Sequence, residues 1–316
     1  MILAVDGGAT KTVALLIDEN NLKVLGVGLS ESSNFTAVGE QIAEENLKEA
    51  INEALRGKIP DKAIFALAGI GDSNIDTLTG KKIAERIFPF SVVINDGEGA
   101  YMAANLYSDG GIFAPGTGSV GFIRKNGIMK RLGGWGWFFG DEGSASWIAR
   151  TAITYSTRVK DGIEKDSKLP EEVERFFGLP FRETIAYLSK KQDKRLIASF
   201  AARVDALAVE GDDLALKIME ETADYIRKII GRLSTTGGRV SLIGGVMRSK
   251  VIREKLEVLG VPIYFGYQAV IGGIARLTNI TFDERDYILK ELGKSLRDLP
   301  EEKLMKCLFA KREEIF

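Results

Sequence analysis

Asp6-Gly7-Gly8-Ala9-Thr10-Lys11-Thr12 concentrates an acid, two glycines, two hydroxyls and an ammonium in seven residues. Glycine lets a backbone approach an anion closely and turn successive N–H groups toward it, so Gly8, Thr10, Lys11 and Thr12 are candidate phosphate ligands. Asp6 is placed to hold a hydrated Mg²⁺ through water. The spacing is not GxxxxGK[ST] and strand patterns flank it on both sides, which excludes a P-loop; an ordinary hairpin with a polar turn fits this segment alone equally well. Gly116-Thr117-Gly118-Ser119 repeats the donor set in a second strand-turn-strand, so Gly116, Thr117 and Gly118 would complete a two-sided clamp around a polyphosphate. Ser241-Leu242-Ile243-Gly244-Gly245-Val246 reads as a buried strand ending in Gly244 and Gly245, where a flat adenine could lie against bare backbone. Glycines that pack a helix after a strand are common, so this third element is weak alone.

Asn95-Asp96-Gly97 ends a strand, the end that faces a ligand crevice in α/β sheets, and this makes Asp96 a candidate general base. Taken alone, the same Asp reads more readily as a helix N-cap. The densest segment is Gly133-Gly134-Trp135-Gly136-Trp137-Phe138-Phe139-Gly140-Asp141-Glu142-Gly143-Ser144, which joins aromatic surface, permissive backbone and two acids just ahead of a helix. Sugars are held in this way, with apolar rings against the carbon skeleton and carboxylates or amides on the hydroxyls. The bland alternative is an aromatic core plug, with Asp141 or Glu142 capping the helix that follows.

Composition removes whole classes of chemistry. The chain of 316 residues has no histidine, which excludes Ser-His-Asp hydrolysis, HExxH zinc sites and phosphohistidine relays. A single cysteine, Cys307, cannot form an intramolecular disulfide or a self-contained four-thiolate cluster, and it fits a reducing, cytoplasmic setting. The formal net charge of −1 offers no basic surplus for a phosphate backbone, so nucleic acid is not an expected partner. No apolar run approaches the roughly 18 residues needed to span a bilayer, and the first residues enter a strand pattern with no signal-peptide features, so no membrane partner is expected. A homodimer is left open.

The elements that must position these residues follow from hydrophobic period. Short apolar runs at 2–5, 13–17 and 24–27 form a three-stranded antiparallel meander, followed by a helix at 41–56, a strand at 63–68, a helix at 75–88, a strand at 91–95 and a helix at 99–107. The order restarts at Gly111 with strands at 112–114, 120–124 and 128–132, the last two joined by the Asn126-Gly127 hairpin turn. A helical insertion then covers 144–157, 171–177, 181–188, 195–209 and 214–233. Strands at 240–243 and 262–265, with helices at 250–259 and 269–277, complete the second lobe. The expected lobes are 1–109 and 110–278, and the charged, amphipathic tail 279–316 covers a lobe surface, in part joining the first lobe.

Together these motifs resemble the sugar kinase and actin-like ATPase superfamily, and within it the BadF-BadG-BcrA-BcrD ATPase group that includes N-acetylglucosamine kinases. The resemblance spans about residues 2–278: residues 6–12 match the first phosphate motif, 116–119 the second and 241–246 the adenosine motif. Gly134-Trp135-Gly136 with Gly140-Asp141-Glu142-Gly143-Ser144 is similar to the N-acetylglucosamine kinase signature. The resemblance implies a two-lobed α/β actin-like (ribonuclease H-like) ATPase fold, each lobe a mixed sheet with a three-stranded meander, the second carrying the insertion. It implies ATP and Mg²⁺ as cofactors, Asp96 as catalytic base, Asn34, Asp141 and the Gly134-Trp135 backbone as sugar contacts, and Thr10 and Thr117 on the phosphates. Pro115 stands where a small residue is usual before the second turn, and Gly97 where Ala is usual.

The implied reaction is phosphotransfer from ATP, held between the lobes, to a hydroxyl of a hexose or amino-hexose, with N-acetylglucosamine or glucosamine foremost and a 6-phosphate product. Two other classes compete. A redox-partner ATPase of the activator type needs cluster-binding cysteines, whereas a sugar-binding regulator usually carries a helix-turn-helix ahead of a pattern that here starts at residue 2.

Overall fold

The computed structural model describes residues 1–71, 73–264 and 281–305. They fall into two units, Met1–Ser108 together with Tyr264 and the described residues 281–305, and Asp109–Ile263.

In the first unit, β1 (Ile2–Gly7), β2 (Lys11–Asp18) and β3 (Lys23–Glu31) form the antiparallel meander. A short helix α1 (Phe35–Val38) follows, then α2 (Glu40–Leu55), β4 (Lys62–Leu67), α3 (Asn74–Ile87), β5 (Val92–Asn95) and α4 (Asp96–Asn105). The strand order is β3-β2-β1-β4-β5, with β4 parallel to β1 and β5 parallel to β4. Strands covered on both faces are apolar without alternation, which is why Ile2, Leu3, Ala4 and Val5 are all buried. Register brings the chemistry to one edge: Asp6 lies beside Ala66 and Leu67 beside Asn95, so β1, β4 and β5 end together and carry Asp6 and Asp96 to the same end of the sheet. α2 rides directly on β3, where a Cβ at Gly26 or Gly28 would stand 2.0 or 1.8 Å from the Ala54 or Ala50 carbonyl oxygen.

The second unit repeats the plan. β6 (Gly110–Pro115), β7 (Ser119–Lys125) and β8 (Ile128–Gly133) make a second meander. The insertion comprises α5 (Ala145–Lys160), α6 (Leu169–Phe177), α7 (Phe181–Lys191), α8 (Lys194–Ser199), α9 (Ala201–Val209) and α10 (Asp213–Ser234). β9 (Arg239–Ile243), α11 (Lys250–Leu256) and β10 (Ile263–Tyr264) follow. The strand order β10-β9-β6-β7-β8 is that of the first sheet, a meander extended on the side of its first strand, and β9 is parallel to β6. The internal repeat read in the sequence is therefore a repeat of topology.

The structure corrects some element bounds. The single helix expected at 195–209 is two helices, because the chain turns at Phe200, which is fully buried with its ring 5.3 and 5.6 Å from those of Phe176 and Phe177. The helix expected to reach residue 259 ends at Leu256 and tightens into a 3₁₀ turn, Glu257–Leu259. Phe265, the helix expected at 269–277 and Cys307 lie outside the described residues. In the tail, α12 (Phe282–Leu296) opens with a capping box between Thr281 and Glu284 and buries Leu289, Leu292 and Leu296. Its Arg285, 5% exposed, donates to the Ala103 and Ala104 carbonyls and so caps the last turn of α4 within the first unit.

Candidate functional site

The first turn spans residues 8–10 and is closed by the Gly8 N–H donating to the Lys11 carbonyl at 2.9 Å, with Ala9 exposed at its tip. Gly7 below it is pressed against Ser33 and Leu67, where a Cβ would stand 2.5 Å from Ser33 Oγ. Thr12 is a correction: it is fully buried, and its hydroxyl donates to the Glu31 carbonyl at 2.8 Å and lies 2.8 Å from Ser33 Oγ. Thr12 therefore braces the turn from beneath instead of offering its hydroxyl to a phosphate. Ser32 was not singled out in the sequence, although the polar run Ser32-Ser33-Asn34 directly after β3 signals it. Its hydroxyl donates to the Gly8 carbonyl and accepts the Asn34 N–H, both at 3.3 Å, which couples the turn to Asn34. Asn34 caps α1 through Oδ1, which accepts from the Thr36 N–H at 3.2 Å and the Thr36 hydroxyl at 2.7 Å. Its amide nitrogen makes no bond among the described residues.

The two readings of Asp96 separate cleanly. Asn95 is the N-cap of α4, its Oδ1 accepting the Gly97 N–H at 2.8 Å while its amide donates to the Ile70 carbonyl at 2.6 Å. Asp96 is the first helical residue, and its Oδ1 accepts the same Gly97 N–H at 2.8 Å. The helix N-terminus favours negative charge at that position. Asp6 lies close enough to feel it: burial first and the Asp96 charge second raise the Asp6 carboxyl to about 7, with Lys11 offsetting part of the rise. Two acids with surplus negative charge suit Mg²⁺, which usually takes one or two carboxylates, waters and substrate phosphates. Among the described residues no group of three or more Asp, Glu, Cys or His forms a protein cage.

A raised carboxyl is linked to stability and to binding. The folded state holds a proton on Asp6 that the unfolded state has already lost above about pH 4, so its contribution is complete in acid and is lost as pH rises through 7. Binding of Mg²⁺·nucleotide near pH 7 is therefore expected to release up to about half a proton from Asp6, read by calorimetry in buffers of different ionisation enthalpy. Asp6→Asn is expected to abolish this release and to raise the melting temperature of the ligand-free protein above pH 7. A release identical in the two proteins would contradict the assignment.

The second turn, 116–118, is held by the segment that follows it. The Gly116 N–H donates to the Gly118 carbonyl at 2.8 Å, and the Gly116 and Thr117 carbonyls accept the Ala145 and Ser146 N–H groups at 2.9 and 3.1 Å. Those are the first two N–H groups of α5, otherwise unpaired at a helix start. Ser119 Oγ donates to the Glu142 carbonyl at 2.7 Å. The cap of α5 is Ser144, which accepts the Trp147 N–H, so neither Asp141 nor Glu142 has the capping role. Glu142 is hydrogen-bonded by the Tyr225 phenol, which burial and then Glu142 itself push up.

Asp141 adopts a left-handed conformation (φ 56°), is 5% exposed, and accepts Lys194 Nζ on Oδ2 at 2.9 Å. The pair lies against Gly118, where a Cβ would meet Asp141 Oδ2 at 2.5 Å and Lys194 Nζ at 2.7 Å. Lys194 escaped the sequence reading because it arrives on α8, 53 residues after Asp141. Gly244, with φ 141°, packs on the same turn: its Cβ would stand 2.4 Å from the Pro115 carbonyl oxygen and 3.3 Å from the Gly116 nitrogen. Pro115 ends β6 opposite Ser119 and leaves the turn closed. Gly245 is exposed. Gly134 (φ 69°) sits on Val120, and Trp135 is 77% exposed with the Arg131 guanidinium 5.7 Å from its ring. The structure thus gathers Asp6, Gly8, Thr10, Lys11, Asn34 and Asp96 in the first unit, and Gly116, Thr117, Gly118, Asp141 and Gly244 in the second.

Comparison with known proteins gives the family and the fold. Residues 3–274 match the BadF/BadG/BcrA/BcrD ATPase family. An N-acetylmuramic acid/N-acetylglucosamine kinase from Clostridium acetobutylicum is 29% identical over 264 residues, 78% of this chain and 86% of that protein. An N-acetyl-D-glucosamine kinase from Dictyostelium discoideum is 26% identical over 259 residues, 74% of this chain and 80% of that protein. The crystal structure of a candidate N-acetylglucosamine kinase from Chromobacterium violaceum superposes with a TM-score of 0.71 at 22% identity, covering 88% of this chain and 98% of the other. That superposition establishes the shared two-sheet fold.

Proposed function

Because the chain belongs to the BadF/BadG/BcrA/BcrD ATPase family, we propose that it is a sugar kinase transferring a phosphoryl group from ATP to a hydroxyl of a hexose or amino-hexose. N-acetylglucosamine or glucosamine is the foremost acceptor, with the 6-phosphate as product. The observation that carries the reading is the placement of Asp96 at the N-terminus of α4 beside Asp6, with the capping role taken by Asn95.

In this mechanism the Asp96 carboxylate accepts the proton of the acceptor hydroxyl as that oxygen attacks the γ-phosphorus. Thr10, Lys11, Thr117 and backbone N–H groups of the two turns place donors on the phosphates, and Gly245, with open space where a Cβ would stand, leaves room for the adenine while Gly244 packs on the second turn. The Asn34 amide, Asp141 Oδ1 and the Gly134-Trp135 segment orient the sugar. Mg²⁺, held through water by Asp6, would neutralise phosphate charge. Phosphoryl transfer passes through a loose transition state, so positioning and charge neutralisation supply most of the acceleration and the base about 10² to 10⁴-fold.

A panel of N-acetylglucosamine, glucosamine, N-acetylmuramic acid, N-acetylmannosamine and glucose with ATP and Mg²⁺ tests the acceptor by kcat/KM. The highest value is expected on an N-acetylated or free amino-hexose. A rate of ADP formation unchanged by every sugar would overturn the proposal.

A further inference from the structure

We propose that Lys194 is a phosphate-positioning cation of the second turn, held in place by Asp141. The proposal rests on the reading of residues 116–118 as a triphosphate ligand and adds a residue to it.

Gly116-Thr117-Gly118-Ser119 contains no charged side chain, whereas the first turn carries Lys11. Neutral N–H donors alone hold a phosphate less firmly than donors assisted by a full positive charge. The structure supplies such a charge from a distant element. Lys194 opens α8, and its Nζ lies 2.7 Å from where a Gly118 Cβ would be, against the backbone of the turn itself. An ammonium has three donors, and the contact to Asp141 Oδ2 at 2.9 Å occupies one of them. The Lys194 side chain is 34% exposed while that of Asp141 is 5% exposed, so the pair presents its cationic member to solvent and keeps its anionic member inside. Gly118 has a reason of its own here, since any side chain at this position would displace both charged groups.

The geometry predicts a defect confined to the phosphates. In Lys194→Met the affinity for ATP should fall about 10- to 100-fold, the range of a lost charge-assisted contact, while AMP affinity falls much less. Both are measured by calorimetry without sugar. Lys194→Arg should recover part of the ATP preference. Lys194→Met leaves Asp141 buried without its partner and could fail to fold, so Lys194→Met/Asp141→Asn, which removes both charges, accompanies it. That double variant is expected to melt close to the wild type and still to lack the ATP-over-AMP preference. A wild-type preference retained in Lys194→Met, or restored in the double variant, would show that Lys194 only balances Asp141 and would overturn the proposal. A wild-type protein that binds ATP no more tightly than AMP would instead overturn the phosphate reading of the turn, and this proposal with it.

Discussion

Replacing Asp96 by Asn is expected to lower sugar phosphorylation about 10² to 10⁴-fold while ATP affinity changes little, because the amide keeps the shape and the hydrogen bond from the Gly97 N–H but cannot accept a proton. The fall should appear in kcat, since the proton moves only in the transition state. Asn95 remains to cap α4, so the helix should be retained and the melting temperature should stay near that of the wild type. The substitution also removes the charge that raises Asp6, and proton release on Mg²⁺·nucleotide binding at pH 7 should shrink accordingly. Full turnover by Asp96→Asn or Asp96→Ala would remove Asp96 from the role of base.

The second large effect is structural. Gly244→Ala forces an L residue into a backbone conformation of φ 141° and drives its Cβ to 2.4 Å from the Pro115 carbonyl oxygen. The opposing atoms are main chain and cannot rotate aside. Strain and overpacking together should cost about 2–5 kcal/mol, a drop in melting temperature of roughly 5–15 °C, with weakened ATP binding as Pro115 and Gly116 are displaced. Gly231→Ala is the matched control: it lies in α10 with open space around its Cβ, and it should leave stability unchanged or raise it by up to about 1 kcal/mol. Equal stability of the two variants, measured by calorimetric melting, would contradict the packing described for Gly244.

Much of the fold was legible because buried strands write themselves as apolar runs. Residues 2–5 and 13–17 lie in central strands of the first sheet, and the Gly/Thr-rich turns after β1 and β6 marked the start of each repeat. Local chemistry was legible where it stays local: residues 6–12 do form a strand-turn-strand, and Asn95-Asp96-Gly97 does join a strand to a helix. What escaped depends on neighbours distant in sequence. Thr12 looks like a donor until Glu31 and Ser33 close over it, and Asp141 looks open until Lys194 reaches it from α8. The break at Phe200, whose ring packs against those of Phe176 and Phe177 in α6, is announced by no helical period in 195–209. The role of the tail also needed the fold, since Arg285 meets the carbonyls of Ala103 and Ala104 from about 180 residues away.

The fate of the γ-phosphoryl group tests the central claim most directly. The wild-type protein is incubated with ATP, Mg²⁺ and N-acetylglucosamine, and the products are followed by phosphorus NMR. The account predicts one sugar phosphate for each ADP formed, with inorganic phosphate near background. Inorganic phosphate accumulating in step with ADP, at the same rate with and without sugar, would contradict it.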